Sequence, residues 1–122
     1  MLSPLTCMAF AIYFEARGET PYQQALVANT IINRVESKRF PNTICEVIKQ
    51  KHQFSFYWDG KTEIITDHVA WVNSLAMAEH YLSVRNKLTP ACHYAKHQIN
   101  NYWTKTLTGK RQGTHIFYEG GC

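Results

Sequence analysis

No stretch of this sequence approaches the roughly 18 consecutive apolar residues needed to span a bilayer, so stable membrane insertion is not expected. Charge of one sign is also scarce. The formal balance is +4 with only 18% charged residues, far from the dense Lys/Arg clustering of a nucleic-acid binder. Lys105, Lys110 and Arg111 are read as a solvated loop, and no nucleic-acid partner is expected. The mild positive balance does suit attraction to an anionic polymer. With no Gly/Ser-rich stretch, repeat or low-complexity tract, nothing divides the 122 residues, which are read as a single domain, 1–122. A CxxC pair is missing too. Cys7, Cys45, Cys92 and Cys122 are scattered and are read as small buried thiols, with Cys122 exposed at the terminus. Met1-Leu2-Ser3-Pro4 has no basic segment before an apolar run and is not read as a signal peptide.

What is present is a folded composition, 45% hydrophobic and 13% aromatic, with well-marked helices at the start. Ser3 caps a first helix with Pro4 at its first position, and Leu5, Met8, Ala9, Ile12 and Ala16 fall on one face. Gly18 is its stop. Thr20-Pro21-Tyr22-Gln23 reads as a capping box opening a second helix, with Ala25, Ala28, Ile32 and Val35 at helical spacing and a stop near Phe40-Pro41. Thr43 caps a short third helix. A longer one is expected from about Asp67 to Val84, with Val72, Leu75, Ala76 and Leu82 inward. After Pro90, residues 91–95 and 114–118 read as short strands. The predicted fold class is α+β, mainly helical, with a small C-terminal β element.

The densest run of functional side chains is Tyr13-Phe14-Glu15-Ala16-Arg17-Gly18-Glu19. Glu15 falls in the last turn of the first helix, where the negative end of the helix dipole disfavours a carboxylate. Partial burial acts in the same direction, so both favour a protonated acid near neutral pH. A glycosidase acid needs that form to protonate the leaving sugar oxygen. On chemistry alone, a single glutamate is more often an ion-pair partner or a cap. Arg17 can be its partner or cap the last carbonyls, and Glu19 can favour the start of the next helix.

Glu15-Ala16-Arg17-Gly18-Glu19, behind an apolar helix, resembles the signature of the SleB-type cell-wall hydrolases, which include spore cortex-lytic enzymes and phage lysis proteins. The resemblance continues in order along the chain. Residues 25–35, ending Asn33-Arg34-Val35, are similar to the family's second helix, and Phe40-Pro41-Asn42-Thr43-Ile44 to its Phe-Pro-Asn-Thr segment. Gln53-Phe54 is similar to its Gln-Phe element, Ala91-Cys92-His93-Tyr94 to its tyrosine strand, and Trp103 with residues 113–117 to its closing segment. Lys87-Leu88-Thr89-Pro90 departs from the family's Asp-Pro-Thr run, and residues 52–66 are idiosyncratic.

The resemblance implies a compact lysozyme-like domain cleaving the β-1,4 bond between N-acetylmuramic acid and N-acetylglucosamine in peptidoglycan, with Glu15 as the acid. It implies no cofactor and no metal, and a monomer is expected. A hydrolase needs a second carboxylate, about 5–5.5 Å away for retention or about 6.5–9.5 Å for inversion. Glu19 is the nearest in sequence, with Asp59, Glu63 and Asp67 as further candidates. A lytic transglycosylase works with Glu15 alone. Arg17, Gln53, Phe54, Tyr94 and His115 are the expected substrate-binding residues, and Phe56, Tyr57 and Trp58 add flat faces for sugar stacking.

Two other readings use the same residues. His93, His97 and His115, with Cys92 or Cys122, offer ligands for a zinc amidase that cuts the peptide stem. The aromatics and positive charge also suit a non-catalytic wall-binding module. The absence of a leader and of a binding domain points to a phage lysis enzyme, made in the cytoplasm and released to the wall through a membrane pore.

Overall fold

The computed structural model describes residues 2–52, 65–84, 87–96, 109–112, 115–119 and 122. Helix α1, Pro4–Ala16, begins where the sequence places it: Ser3 is the N-cap, and its hydroxyl accepts from the Thr6 amide at 3.1 Å. Arg17 is the C-cap, and Gly18 turns the chain at φ +86°, a conformation that costs a side-chain-bearing residue energy. The Glu19 amide closes that turn on the Ala16 carbonyl. Helix α2, Pro21–Glu36, opens with the full capping box, Thr20 and Gln23 each bonding the other's backbone amide.

The expected stop near Phe40 comes four residues sooner. Ser37 ends the helix because its amide returns to Arg34 while its hydroxyl accepts from the Arg39 amide and donates to the Cys122 carbonyl. Helix α3 is Ile44–His52, capped by Thr43 through the Glu46 amide. Helix α4 is His68–Val84, capped by Asp67 through the Ala70 amide.

Helix α1 is the centre of the molecule. It packs against α2, α3 and α4, and residues 7–13 are buried on every side. The expected single apolar face is therefore too narrow: a helix enclosed by three others has no solvent face. In α4 the inward stripe runs through Trp71, Ser74, Leu75, Ala78, Tyr81 and Leu82. Val72 is 60% exposed and Ala76 is exposed, contrary to expectation. The small residues Ser74 and Ala78 are the buried positions of this helix, and the stripe they define leaves both Val72 and Ala76 outside.

Three strands form an antiparallel sheet in the order β1-β3-β2. They are β1, His93–Lys96, β2, Gly109–Gln112, and β3, His115–Tyr118. Strand β2 contains two residues read above as a loop, Lys110 and Arg111. Its Gly-Lys-Arg-Gln sequence lacks the apolar alternation that marks a strand, and among the described residues it pairs with β3 alone, as an edge. Tyr94 lies opposite Phe117, and Gln112 opposite His115. Gly109 faces Tyr118 so closely that a Cβ there would sit 2.5 Å from Ile116 Cγ2.

The cysteines are not free. Cys7 is bonded to Cys45 and Cys92 to Cys122. The thiol reading is corrected: each pair spans more than 29 residues and becomes adjacent only when α1 meets α3, or when the chain end meets β1.

Candidate active site

Glu15 sits in the last turn of α1, where the helix ends against the sheet. Its side chain is 21% exposed, neither in bulk water nor sealed in the core. His115 of β3 approaches it, with Nε2 3.9 Å from Glu15 Oε2. That separation is an ion-pair distance, longer than a direct hydrogen bond. His115 is 1% exposed and meets Tyr94 edge-on, ring centroids 5.5 Å apart. Tyr94 is also buried and stacks across the strands on Phe117 at 5.6 Å. Burial holds the Tyr94 hydroxyl well above its ordinary pKa, the negative charge of Glu15 raises it further, and Arg34 partly offsets both. The sheet therefore presents a neutral phenol and an imidazole beside the Glu15 carboxyl group.

Arg17 and Glu19 lead away from that cluster. The exposed Arg17 reaches back one turn to donate to the Tyr13 hydroxyl, and its guanidinium lies 4.4 Å from the Tyr13 ring centroid. The same phenol oxygen accepts from the Thr66 and Asp67 amides at 3.2 and 3.0 Å. Burial raises the Tyr13 pKa, but these donors and the Arg17 charge outweigh it, and the net shift is downward. Tyr13, to which the sequence analysis gave no role of its own, thus fixes the chain ahead of α4 to the end of the Glu15 helix. Glu19 lines a separate groove of about 750 Å³ between the start of α2 and α4, with Tyr22, Asn73, His80 and Tyr81. Glu15 is not among the groove's lining residues. Gln53 and Phe54, with Phe56, Tyr57, Trp58, His97 and Trp103, lie outside the described residues.

A polar spine on α2, legible in the sequence only as part of the family resemblance, sets the sheet in place. Asn29 Oδ1 accepts from the amides of Leu88 and Thr89 at 2.5 and 2.9 Å. Asn33 donates to the carbonyls of Thr89 and Ala91 at 2.8 and 2.7 Å, and Arg34 donates to that of Cys92 at 2.5 Å. These side chains are buried, and each satisfies backbone groups of the irregular run into β1. Arg34 also meets His93 Nδ1 at 3.1 Å. A guanidinium has only donors, so that nitrogen accepts. Of the zinc reading's donors that are described, His93 thus faces a permanent cation, and Cys92 and Cys122 are bonded to each other.

A mainly helical α+β domain whose buried central helix ends in a half-open glutamate beside a small antiparallel sheet defines a lysozyme-like protein. Its affiliation is narrower: the chain belongs to the cell wall hydrolase family, whose sequence profile matches residues 18–118. The chain is 44% identical to a spore cortex-lytic enzyme of Bacillus subtilis over 122 aligned residues, covering 92% of this chain and 36% of the relative. It is 41% identical to that of Bacillus cereus over 63 residues, 52% of this chain and 24% of the relative. It thus spans only about a quarter to a third of these two relatives. Among solved structures, the catalytic domain of the germination-specific lytic transglycosylase SleB from Bacillus anthracis superimposes with a TM-score of 0.71 at 30% identity, covering 95% of this chain and 93% of that one.

Proposed function

We propose that this domain cleaves the β-1,4 bond between N-acetylmuramic acid and N-acetylglucosamine in peptidoglycan, as a lytic transglycosylase with Glu15 as acid and base. The observation that carries the reading is the setting of Glu15: a partly exposed carboxyl group at the end of a buried helix, with His115 3.9 Å away and Tyr94 against that imidazole, while Glu19 lines a groove that does not include Glu15. In its protonated form Glu15 gives its proton to the leaving glycosidic oxygen, and the C1–O bond breaks. As carboxylate it then removes the proton of the muramoyl 6-hydroxyl, whose oxygen closes on C1. The 1,6-anhydro product forms without an attacking water, and the acid is regenerated. Membership of the cell wall hydrolase family, and similarity to a structure described as a lytic transglycosylase, support this substrate and this chemistry.

His115 and Tyr94, both buried, position the Glu15 carboxyl group from beneath the sugar and do not contact it. Arg17, with Tyr13, holds the turn that aims it, and Gln53 and Phe54 add substrate contacts. Glu19 serves the same site from the adjoining groove. The two disulfides suit an oxidising setting outside the cytoplasmic membrane, where the wall is met. The setting we propose is a monomeric enzyme of phage lysis acting on the host wall.

Mass spectrometry of glycan fragments from digested wall tests the chemistry. Anhydro-muramic ends are expected; reducing ends would instead make the enzyme a hydrolase and return Glu19 to the role of second carboxylate. Glu15→Gln is expected to lower the cleavage rate by about 10²–10⁴-fold at an unchanged melting temperature. Wall clearance equal to wild type by that variant would remove Glu15 from the mechanism.

A further inference from the structure

A second cavity, of about 150 Å³, lies against the core-facing side of the sheet. Leu26 of α2 and Phe117 of β3 supply its apolar floor, both 3% exposed. Lys110 and Gln112 of β2 and Glu119 stand at its polar rim, and the ring of Tyr22, 51% exposed, forms one wall. Strand register places this cavity on the sheet face that carries His115. Lys110 is directly opposite Phe117 and Gln112 directly opposite His115, so all four share one sheet face. Phe117 is two residues along the strand from His115, about 7 Å, within one sugar ring of the imidazole that meets Glu15. Tyr22 and Leu88 also line the larger groove that holds Glu19, so the two cavities adjoin.

The contents of the small cavity select a ligand. Its volume is about that of five waters, too small for a disaccharide and sufficient for a short acyl or aminoacyl arm. The floor takes a methyl group, Gln112 offers an amide, and Lys110 offers a charge. Among the described residues Lys110 takes part in no ion pair.

We propose that Lys110, Gln112 and Tyr22 form a specificity pocket, on the sheet face that carries His115, that receives the carboxylate-bearing arm of a muramoyl unit. The inference rests on the glycan-cleaving reading given above. Lys110 pairs with the carboxylate, Gln112 bonds the neighbouring amide or ether, and Leu26 and Phe117 cover the arm's methyl group. Glu119 at the same rim opposes the carboxylate and so limits how tightly the arm is held.

The test reads binding separately from cleavage, by titrating soluble glycan strands into the Glu15→Gln protein. Three strand sets are used: with peptide stems intact, with stems removed by an amidase to free the lactyl carboxylate, and stripped strands neutralised by methylamidation. Adding Lys110→Met is expected to raise Kd about three- to tenfold for at least one of the two acidic sets and to leave the neutral set unchanged. Lys110→Arg is expected to restore binding to within about twofold, and Glu119→Gln to tighten it. A loss confined to stripped strands assigns the lactyl carboxylate, and one confined to stem-bearing strands assigns the peptide. Equal losses on neutral strands, no loss on either acidic set, or no binding of any strand would overturn the pocket. Failure of the wild-type protein to cut any strand would instead defeat the catalytic reading, with the Lys110 dependence still measurable.

Discussion

Tyr94 is an uncharged phenol in the folded protein because burial and the nearby Glu15 charge both penalise its phenolate. In the unfolded chain it ionises near its ordinary value of 10.0. Its folded pKa is the higher of the two, so its contribution to stability is complete below about pH 10 and is lost as the pH climbs towards the folded value. Melting curves between about pH 9 and pH 11.5 are expected to fall less steeply for Tyr94→Phe than for wild type. Parallel curves would show that the hydroxyl is solvated. Tyr13 has the opposite sign, and its lowered pKa adds nothing to alkaline loss. Two tyrosines of one small domain are thus driven apart by their partners: backbone and guanidinium donors at one, an apolar strand pair and a carboxylate at the other.

At the scale of elements, two glycines do different work. Gly18 has open space where a Cβ would stand, but its φ of +86° makes Gly18→Ala cost about 1–2 kcal/mol through the backbone. Gly109 has no such angle; its Cβ would meet Ile116 Cγ2 at 2.5 Å and the Tyr118 ring at 2.8 Å. Gly109→Ala is therefore expected to cost about 1–3 kcal/mol through overpacking and to loosen β2. Denaturant titration measures both, and a neutral Gly109→Ala would mean that the edge strand does not pack as described. The helices were readable because their signals are local. Ser3, Thr20, Thr43 and Asp67 bond amides within three residues of themselves. Strand β2 was not readable, since a polar edge strand is defined by its partner across the sheet. The inward face of α4 failed for the same kind of reason: several faces are apolar, and which of them is buried, here that of Ser74 and Ala78, is set by packing against other helices.

The whole molecule is held by two covalent ties as well as its core. Cys7–Cys45 joins the central helix to α3, and Cys92–Cys122 joins the run into β1 to the end of the chain. Their separations of 38 and 30 residues correspond to about 4 kcal/mol each from lost chain entropy in the unfolded state. Reduction of both, confirmed by thiol alkylation, is expected to lower the melting temperature by more than about 10 °C. An unchanged melting temperature with all four thiols free would sink this account.

From the sequence alone came the caps and turns of the helices, the mainly helical α+β class, and the glutamate at the end of the first helix with the signature around it. Each depends on interactions a few residues long or on a motif read in order. The tertiary structure decided which cysteines meet and which face of α4 turns inward. It also placed His115 and Tyr94 beside Glu15, put Glu19 in another groove, and brought Lys110 to the same sheet face. Those outcomes depend on residues up to about a hundred positions apart becoming neighbours, and only packing around α1 and the ladder between β1, β3 and β2 fixes that distance.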